Sequence, residues 1–545
     1  MGVGLELRLA DHTPAVAERL ALWEEQDMGR RLWARDPTIW SPRPQRELAD
    51  RLGWLDLPTR ALDDAEDLDA FGEEVAAARF EQVVVLGMGG SSLAPQVFAA
   101  TFGRAPGSPE LLVLDSTHPA AVDHLAQRIE PSRTLFIVSS KSGTTLETIS
   151  LFRFFWNVVA KASDEPGRHF MAVTDPGTEL ALLGEAREFR HVFLAPTEVG
   201  GRFSALSEFG LVPAAAAGID TRALAAGAAA VAGQLGPGAP VLSNSGFQLG
   251  AALGELALAG IDKVTLLTDA PLAAFPPWIE QLVAESTGKS GTGIVPIPEE
   301  EAGLPQAYGT DRFFLVVDTA DDGVDTAPLT DAGHPVARLR LDGLEDLGGA
   351  MFMLEVAVAM AGSVLGINPF DQPDVQLAKE LAIQAVAGGL DTSDVARVRA
   401  DDDGLADNVA SWVASIKPGD YAALQAFIEP TEAARAALEQ LRRLLQDHRK
   451  VATTVHFGPR FLHSTGQLHK GGPESGIFLQ IIDEPAPYLP VPETGFDFGG
   501  LVVAQALGDH QALRRQGRRV MLVDVGNDVG GGLAAVIEAV RTALG

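Results

Sequence analysis

The stretch "LFIVSSKSGTTLETISLF", residues 135–152, runs from an apolar segment into a turn of short hydroxyls around one lysine, then into a helical pattern. A strand that ends in such a turn and re-enters a helix is half of a βαβ unit, and ligands sit at the carboxyl ends of such strands. Hydroxyls and backbone amides at a helix start suit a small anion. Runs of the same texture flank it: "QVVVLG" (82–87), "LLVLD" (111–115) and "FMAVTD" (170–175), separated by the helical stretches "SLAPQVFAATF" and "TTLETISLFRFFWNVVA". Strands alternating with helices at this spacing predict a parallel, doubly wound sheet with helices on both faces, the α/β class.

A second set follows at 240–340. It comprises a helix in "GFQLGAALGELALAG", a strand "KVTLLTD", a helix "WIEQLVAEST", and strands "FFLVVDT" and "PVARLRL". The architecture reads as duplicated, without a residue-level repeat. Four segments result: an N-terminal helical segment (1–75), two α/β domains (76–218 and 219–390), and a C-terminal α/β extension (391–545). The extension's strands are expected in "KVATTVHF", "GIFLQIID" and "RRVMLVDV", and its closing helix in "GGLAAVIEAVRTAL". The apolar run 347–366 is interrupted by glycines and Glu355, which predicts a helix buried between domains rather than in a membrane.

At 545 residues the chain exceeds one core. The net charge of −31 argues against a general nucleic-acid or acidic-membrane binder, because phosphates would be repelled, yet leaves room for a local cationic pocket. The absence of cysteine removes disulfides, thiol nucleophiles and cysteine-ligated zinc, and suits a reducing cytoplasm. The start "MGVGLELRLADHTPAVAERL" lacks the basic and apolar regions of a signal peptide. A soluble, cytoplasmic protein is expected.

Two loops are candidates for holding a ligand. In "VVVLGMGGSSLAPQVF" (83–98) glycines let backbone amides approach an anion, but Ser92 replaces the last glycine of the dinucleotide fingerprint. In the opening stretch, Ser139, Ser140, Ser142, Thr144 and Thr145 surround Lys141. The P-loop-like "STGKSG" (286–291) fails because Val283 stands where the first glycine belongs.

Taken together and in order, "VLGMGGSSLAP", "SSKSGTTLET", "GGRFSALSEFG" and "INPFDQPDVQLAK" resemble the glucose-6-phosphate isomerase family, built from two sugar-isomerase domains. The tail, with "FGPRFLHSTGQLHKGGP", is more similar to the isomerase half of transaldolase–isomerase fusion proteins, and no transaldolase half is expected here. The resemblance implies that Ser140, Lys141, Ser142 and Thr145 hold a phosphate, with Gly90 and Ser91 close to the sugar. It implies Glu285 as the base moving a proton between C2 and C1. Gln281 lies one turn before it on the same helix face. Arg202 would stabilise the enediolate, since a guanidinium keeps its charge. Lys379 would take part in ring opening and Gln372 would contact a hydroxyl; the two are seven residues apart on an expected helix with Pro373 in its first turn.

The family supplies a histidine for ring opening, often across a dimer interface. His334 in "DAGHPV" is the nearest candidate, with His463 and His469 as rivals from the tail. The implied protein is a homodimer acting on a small sugar phosphate, with no nucleic-acid or membrane partner and no cofactor. No metal-ligand pattern is visible. Two alternatives remain: a non-catalytic sugar-phosphate sensor, and an isomerase that also accepts mannose 6-phosphate. An amidotransferase is excluded because no cysteine is available.

Overall fold

A computed structural model of the protein describes residues 2–319, 323–386 and 395–545, so the boundary expected at 390–391 lies outside the described residues. Its strands form three five-stranded sheets. β1 (Val3–Arg8) opens the chain. β2 (Gln82–Gly87), β3 (Glu110–Leu114), β4 (Thr134–Ser139), β5 (Phe170–Thr174) and β6 (His191–Leu194) form the first sheet, all parallel, in the order β3-β2-β4-β5-β6. β7 (Lys263–Thr268), β8 (Val295–Ile297), β9 (Arg312–Asp318) and β10 (Val336–Leu341) form the second in the order β1-β10-β9-β7-β8. The third contains β11 (Arg397–Arg399), β12 (Tyr421–Phe427), β13 (Ala452–Phe457), β14 (Gly476–Ile482) and β15 (Arg519–Asp524), ordered β11-β15-β14-β12-β13 and parallel throughout.

Read from the appropriate edge, the sheets are β3-β2-β4-β5-β6, β8-β7-β9-β10-β1 and β13-β12-β14-β15-β11. In each, the first strand of the unit sits between its second and third, with the fourth beyond. Only the source of the edge strand differs: β6 follows in sequence, β11 precedes, and β1 comes antiparallel from the start of the chain. The N-terminal segment is thus not wholly helical as expected. "VGLELR" alternates in burial and completes the second sheet.

The first sheet shows why the strands were readable. Val84, Leu86, Phe136, Val138, Phe170 and Ala172 enter one apolar cluster, with Leu151, Phe152 and Phe155 of the helix Leu146–Val159. Their neighbours Val83, Val85, Leu135, Ile137, Met171 and Val173 enter another, with Phe71 and Val75 of the helix Ala65–Ala77. A strand covered on both faces is apolar without alternation. The helix Leu347–Leu365 is buried along its length from Leu347 to Gly362, as expected of an inter-domain helix. Small residues let its neighbours close in: a side chain at Gly250 would press on Met360 and the Ala357 backbone. The carboxyl oxygens of Glu355 on this helix have no hydrogen-bonding partner among the described residues, and burial pushes this carboxyl well above the usual range.

Candidate active site

A cleft of about 350 Å³ opens where the carboxyl ends of the first sheet meet the second and third units. At one end the turn after β4 is closed by its own hydroxyls. Ser140 Oγ lies 2.9 Å from Thr145 Oγ1 and accepts the Gly143 amide at 3.2 Å, with Gly143 at φ +70°, a conformation glycine adopts freely. Ser139, Lys141, Ser142 and Thr145 line the cleft at the start of the helix Leu146–Val159, where free amides favour an anion. Ser140, expected as a ligand, is instead a buried brace of the turn and does not line the cleft.

Lys141 Nζ is 2.6 Å from Asp175 Oδ2. Burial lowers the Lys141 ammonium from its ordinary value while Asp175 opposes the fall; burial likewise raises Asp175, against the pull of Lys141. Arg51 and Glu47, from the N-terminal segment, share this end, Arg51 being held by the Thr197 carbonyl. Neither they nor Asp175 belong to a readable motif.

At the other end, the helix Pro276–Thr287 is buried along almost all its length and presents Gln281 and Glu285 on one face. Glu285 is 6% exposed. Arg202 Nη1 lies 3.1 Å from its Oε1, and Gln281 Nε2 donates to its Oε2 at 3.1 Å. Arg202 Nη2 donates to the Pro369 and Asp371 carbonyls at 3.2 and 2.7 Å, so the guanidinium is fixed at both terminal nitrogens. Behind it, Lys289 donates to Asp371 Oδ1 at 2.9 Å, and burial, with the Arg202 charge adding, pushes its ammonium down to about 8. The turns bearing Gly90 and Arg202 touch so closely that a side chain at Gly90 would collide with the Gly201 backbone. Gly90 and Ser91 line the cleft beside them.

The third wall is His463, in the loop after β13. Its Nε2 lies 2.8 Å from Glu147 Oε1, which also accepts Gln505 Nε2 at 2.7 Å. Burial opposes the charge on Glu147, but His463, a backbone hydrogen bond and Lys379 together bring its carboxyl below the usual value.

His334 is not part of the cleft. It lies at the amino end of the parallel strand β10, opposite the ligand end of the sheet, and its ring packs edge-on against Tyr308 and Phe314 at 6.0 and 5.5 Å. His469 is fully buried between rings, its Nδ1 accepts Gln425 Nε2 at 2.9 Å, and it is pushed well below the ordinary imidazole value by burial. Gln372 and Lys379 both line the cleft, but not as two turns of one helix: Gln372 precedes a 3-10 turn, Pro373–Val375, and Lys379 sits on the helix Gln376–Val386. Among the described residues no group of three His, Asp or Glu side chains is placed to hold a metal ion.

One cleft therefore offers an anion grip, a buried carboxylate against a fixed cation, and a carboxylate–imidazole pair. Comparison with known proteins agrees with that chemistry. The phosphoglucose isomerase family profile matches residues 69–297. The glucose-6-phosphate isomerase of Rubrobacter xylanophilus is 32% identical, the match covering 61% of this chain and 89% of that one. That of Thermus thermophilus is 31% identical over 63% of this chain and 92% of its own. A solved structure of a hypothetical protein from Thermus thermophilus superposes with TM-score 0.60 at 27% identity; its whole length accounts for 71% of this chain, which carries a segment that protein lacks. A glucose-6-phosphate isomerase structure from Chlamydia trachomatis shares the fold, with TM-score 0.58 over 71% of this chain and 88% of its own. The chain belongs to the glucose-6-phosphate isomerase family.

Proposed function

We propose that the chain interconverts glucose 6-phosphate and fructose 6-phosphate through a cis-enediol, without a metal ion. The observation that carries this reading is the sharing of one cleft by the hydroxyl-rich turn at Lys141–Thr145 and the buried Glu285–Arg202 pair. Lys141, Ser142, Thr145 and the adjoining helix start hold the phosphate. His463, backed by Glu147, opens the ring by moving a proton between the C1 hydroxyl and the ring oxygen, with Lys379 alongside. Glu285 then takes the proton from C2, and the electron pair forms C1=C2 with the charge on O1, opposite Arg202. O1 gains a proton as O2 gives one up, and Glu285 returns its proton to C1. Gln372 contacts a sugar hydroxyl. No atom is gained or lost, so no redox partner is needed.

In a chain of net charge −31 the cleft gathers four cationic side chains, Arg51, Lys141, Arg202 and Lys379, against the carboxylates of Glu47, Asp175 and Glu285, and Lys141 and Arg51 at the hydroxyl-rich turn support a phosphorylated substrate over a neutral sugar. The same reading makes the enzyme a cytoplasmic homodimer with no nucleic-acid or membrane partner. A coupled assay with fructose 6-phosphate, run after exhaustive chelation and beside mannose 6-phosphate, tests it. Undiminished turnover of fructose 6-phosphate is expected; activity lost with the chelator and restored by a divalent ion would refute the metal-free route. Binding without any turnover would favour a sensor.

A further inference from the structure

The third unit turns the carboxyl-end loops of its sheet onto the first. Glu429, just after β12, meets His124 Nδ1 at 2.9 Å, and Asp483, just after β14, meets His118 Nε2 at 3.2 Å. Arg460, after β13, pairs with Asp115 Oδ2 at 3.2 Å and donates to Gln96 at 2.6 Å. That crevice is where an open α/β sheet ordinarily receives its own ligand. Here it is occupied by the neighbouring unit, and the β13 loop runs on into the neighbour's cleft.

Each wall of the cleft is then braced by this unit. The His463 carbonyl accepts Gln281 Nε2 at 2.8 Å, and Gly89, at φ +56°, leaves space for it: a Cβ there would lie 2.5 Å from that oxygen. Gln467 Nε2 donates to the Gly288 carbonyl at 3.0 Å and to Asp374 Oδ2 at 2.7 Å, while its Oε1 accepts the Asp374 amide at 2.9 Å, tying the end of the Glu285 helix to the segment that carries Gln372. Gln505 donates to Glu147 and accepts Thr117 Oγ1 at 2.8 Å. Leu468 joins Ala284, Val295 and Ile297 of the second unit in one apolar cluster, and Leu381 on the Lys379 helix packs against Ala512. Gln467, Gln505 and Leu468 are all buried, so these contacts are made in a dry interface where an unpaired amide is costly.

We propose that the third unit completes the active site in cis: a single chain supplies both Glu285 and the Glu147–His463 pair of the same cleft, with Gln467 and Gln505 as positioning residues. This rests on the isomerase reading above. It makes each chain an independent catalytic unit whether or not two chains associate.

The test is complementation between full-length variants. Glu285→Gln and His463→Gln chains, carrying different tags, are co-expressed and the pool is assayed together and after purification through both tags. In cis, every cleft keeps one defect, and activity stays at the level of the single variants, on the order of a hundredth of wild type or less. If the cleft were shared between subunits, half the clefts in a mixed dimer would be intact, and random mixing would return about a quarter of wild-type turnover; that result overturns the proposal. Failure to recover any doubly tagged species also supports it. Binding of 5-phosphoarabinonate by each single variant verifies folding, and His463→Asn serves as a second variant. For the positioning role, Gln505→Leu should slow the exchange between the α and β anomers of glucose 6-phosphate at least tenfold. Its affinity for 5-phosphoarabinonate should stay nearly unchanged, and equal loss of both would mark a merely structural residue. A wild-type chain that bound the inhibitor but never isomerised would instead defeat the reading on which this rests.

Discussion

Replacing Glu285 by Gln separates proton transfer from everything else the cleft does. The side chain keeps its shape, and its amide oxygen can still face one of the two donors, Arg202 Nη1 or Gln281 Nε2, each 3.1 Å away. What disappears is the basic carboxylate. A positioned general base supplies roughly 10²–10⁴ in rate, which at about 1.4 kcal/mol per factor of ten is about 3–5.5 kcal/mol of the barrier. Among the described residues Arg202 is ion-paired with Glu285 and with no other carboxylate, so the upper part of that range is expected. Stability should fall less. Breaking a buried ion pair costs about 3–5 kcal/mol when the remaining charge is stranded. Arg202 is not stranded, because the Pro369 and Asp371 carbonyls still accept from it, and a loss of about 1–3 kcal/mol is expected. The assay has three readouts: coupled turnover of fructose 6-phosphate, calorimetric binding of 5-phosphoarabinonate, and anomer exchange of glucose 6-phosphate by magnetization-transfer NMR. Turnover should collapse while the other two persist. Turnover within tenfold of wild type would refute the base assignment, and loss of anomer exchange along with turnover would refute the separation of ring opening from enolisation.

Combined Lys141→Ala and Ser142→Ala should raise KM for the phosphosugar at least tenfold with a smaller change in kcat, since the grip acts on ground state and transition state alike; unaltered steady-state kinetics would exclude that end of the cleft as the phosphate site. The Glu147 carboxyl is held below its ordinary value of 4.5, with burial opposing and His463, a backbone hydrogen bond and Lys379 together outweighing it, so its contribution to stability is full above that value and is lost as pH falls through the lower folded one. In His463→Ala that contact is gone while burial remains, so denaturant titration should show lower stability than wild type near neutral pH and a smaller loss of stability as pH falls through 4.5; an unchanged acid-dependent loss contradicts the pairing. Gly288→Ala would drive a methyl into the Leu468 backbone and should cost about 1–3 kcal/mol in denaturant titration, whereas a neutral result would show that the second and third units are not packed as described.

Legibility followed the range of the interactions. Strands β2, β4, β5 and β9 were readable because they are covered on both faces and so carry unbroken apolar runs closed by Gly, Ser or Asp. β12, an interior strand of the third sheet, escaped notice: "YAALQAF" is alanine-rich, and its strand state is set by β13 and β14 on either side. β1 and β11 are edge strands whose pairing partners lie more than a hundred residues away, and a short segment by itself carries no mark of that.

The sequence by itself determined the α/β class, the hydroxyl-rich turn at 139–145, and the Gln281–Glu285 face, since each rests on the chemistry of adjacent residues or one helical turn. Only the tertiary structure decided which histidine enters the cleft. His463 and Glu147 are 316 positions apart, and the third unit must dock on the first before that imidazole meets that carboxylate; the resemblance pointed first to His334, with His463 as a rival, and the fold places His334 at the wrong end of its strand. Contacts between distant segments are selected by the packing of whole units, and no local pattern records them.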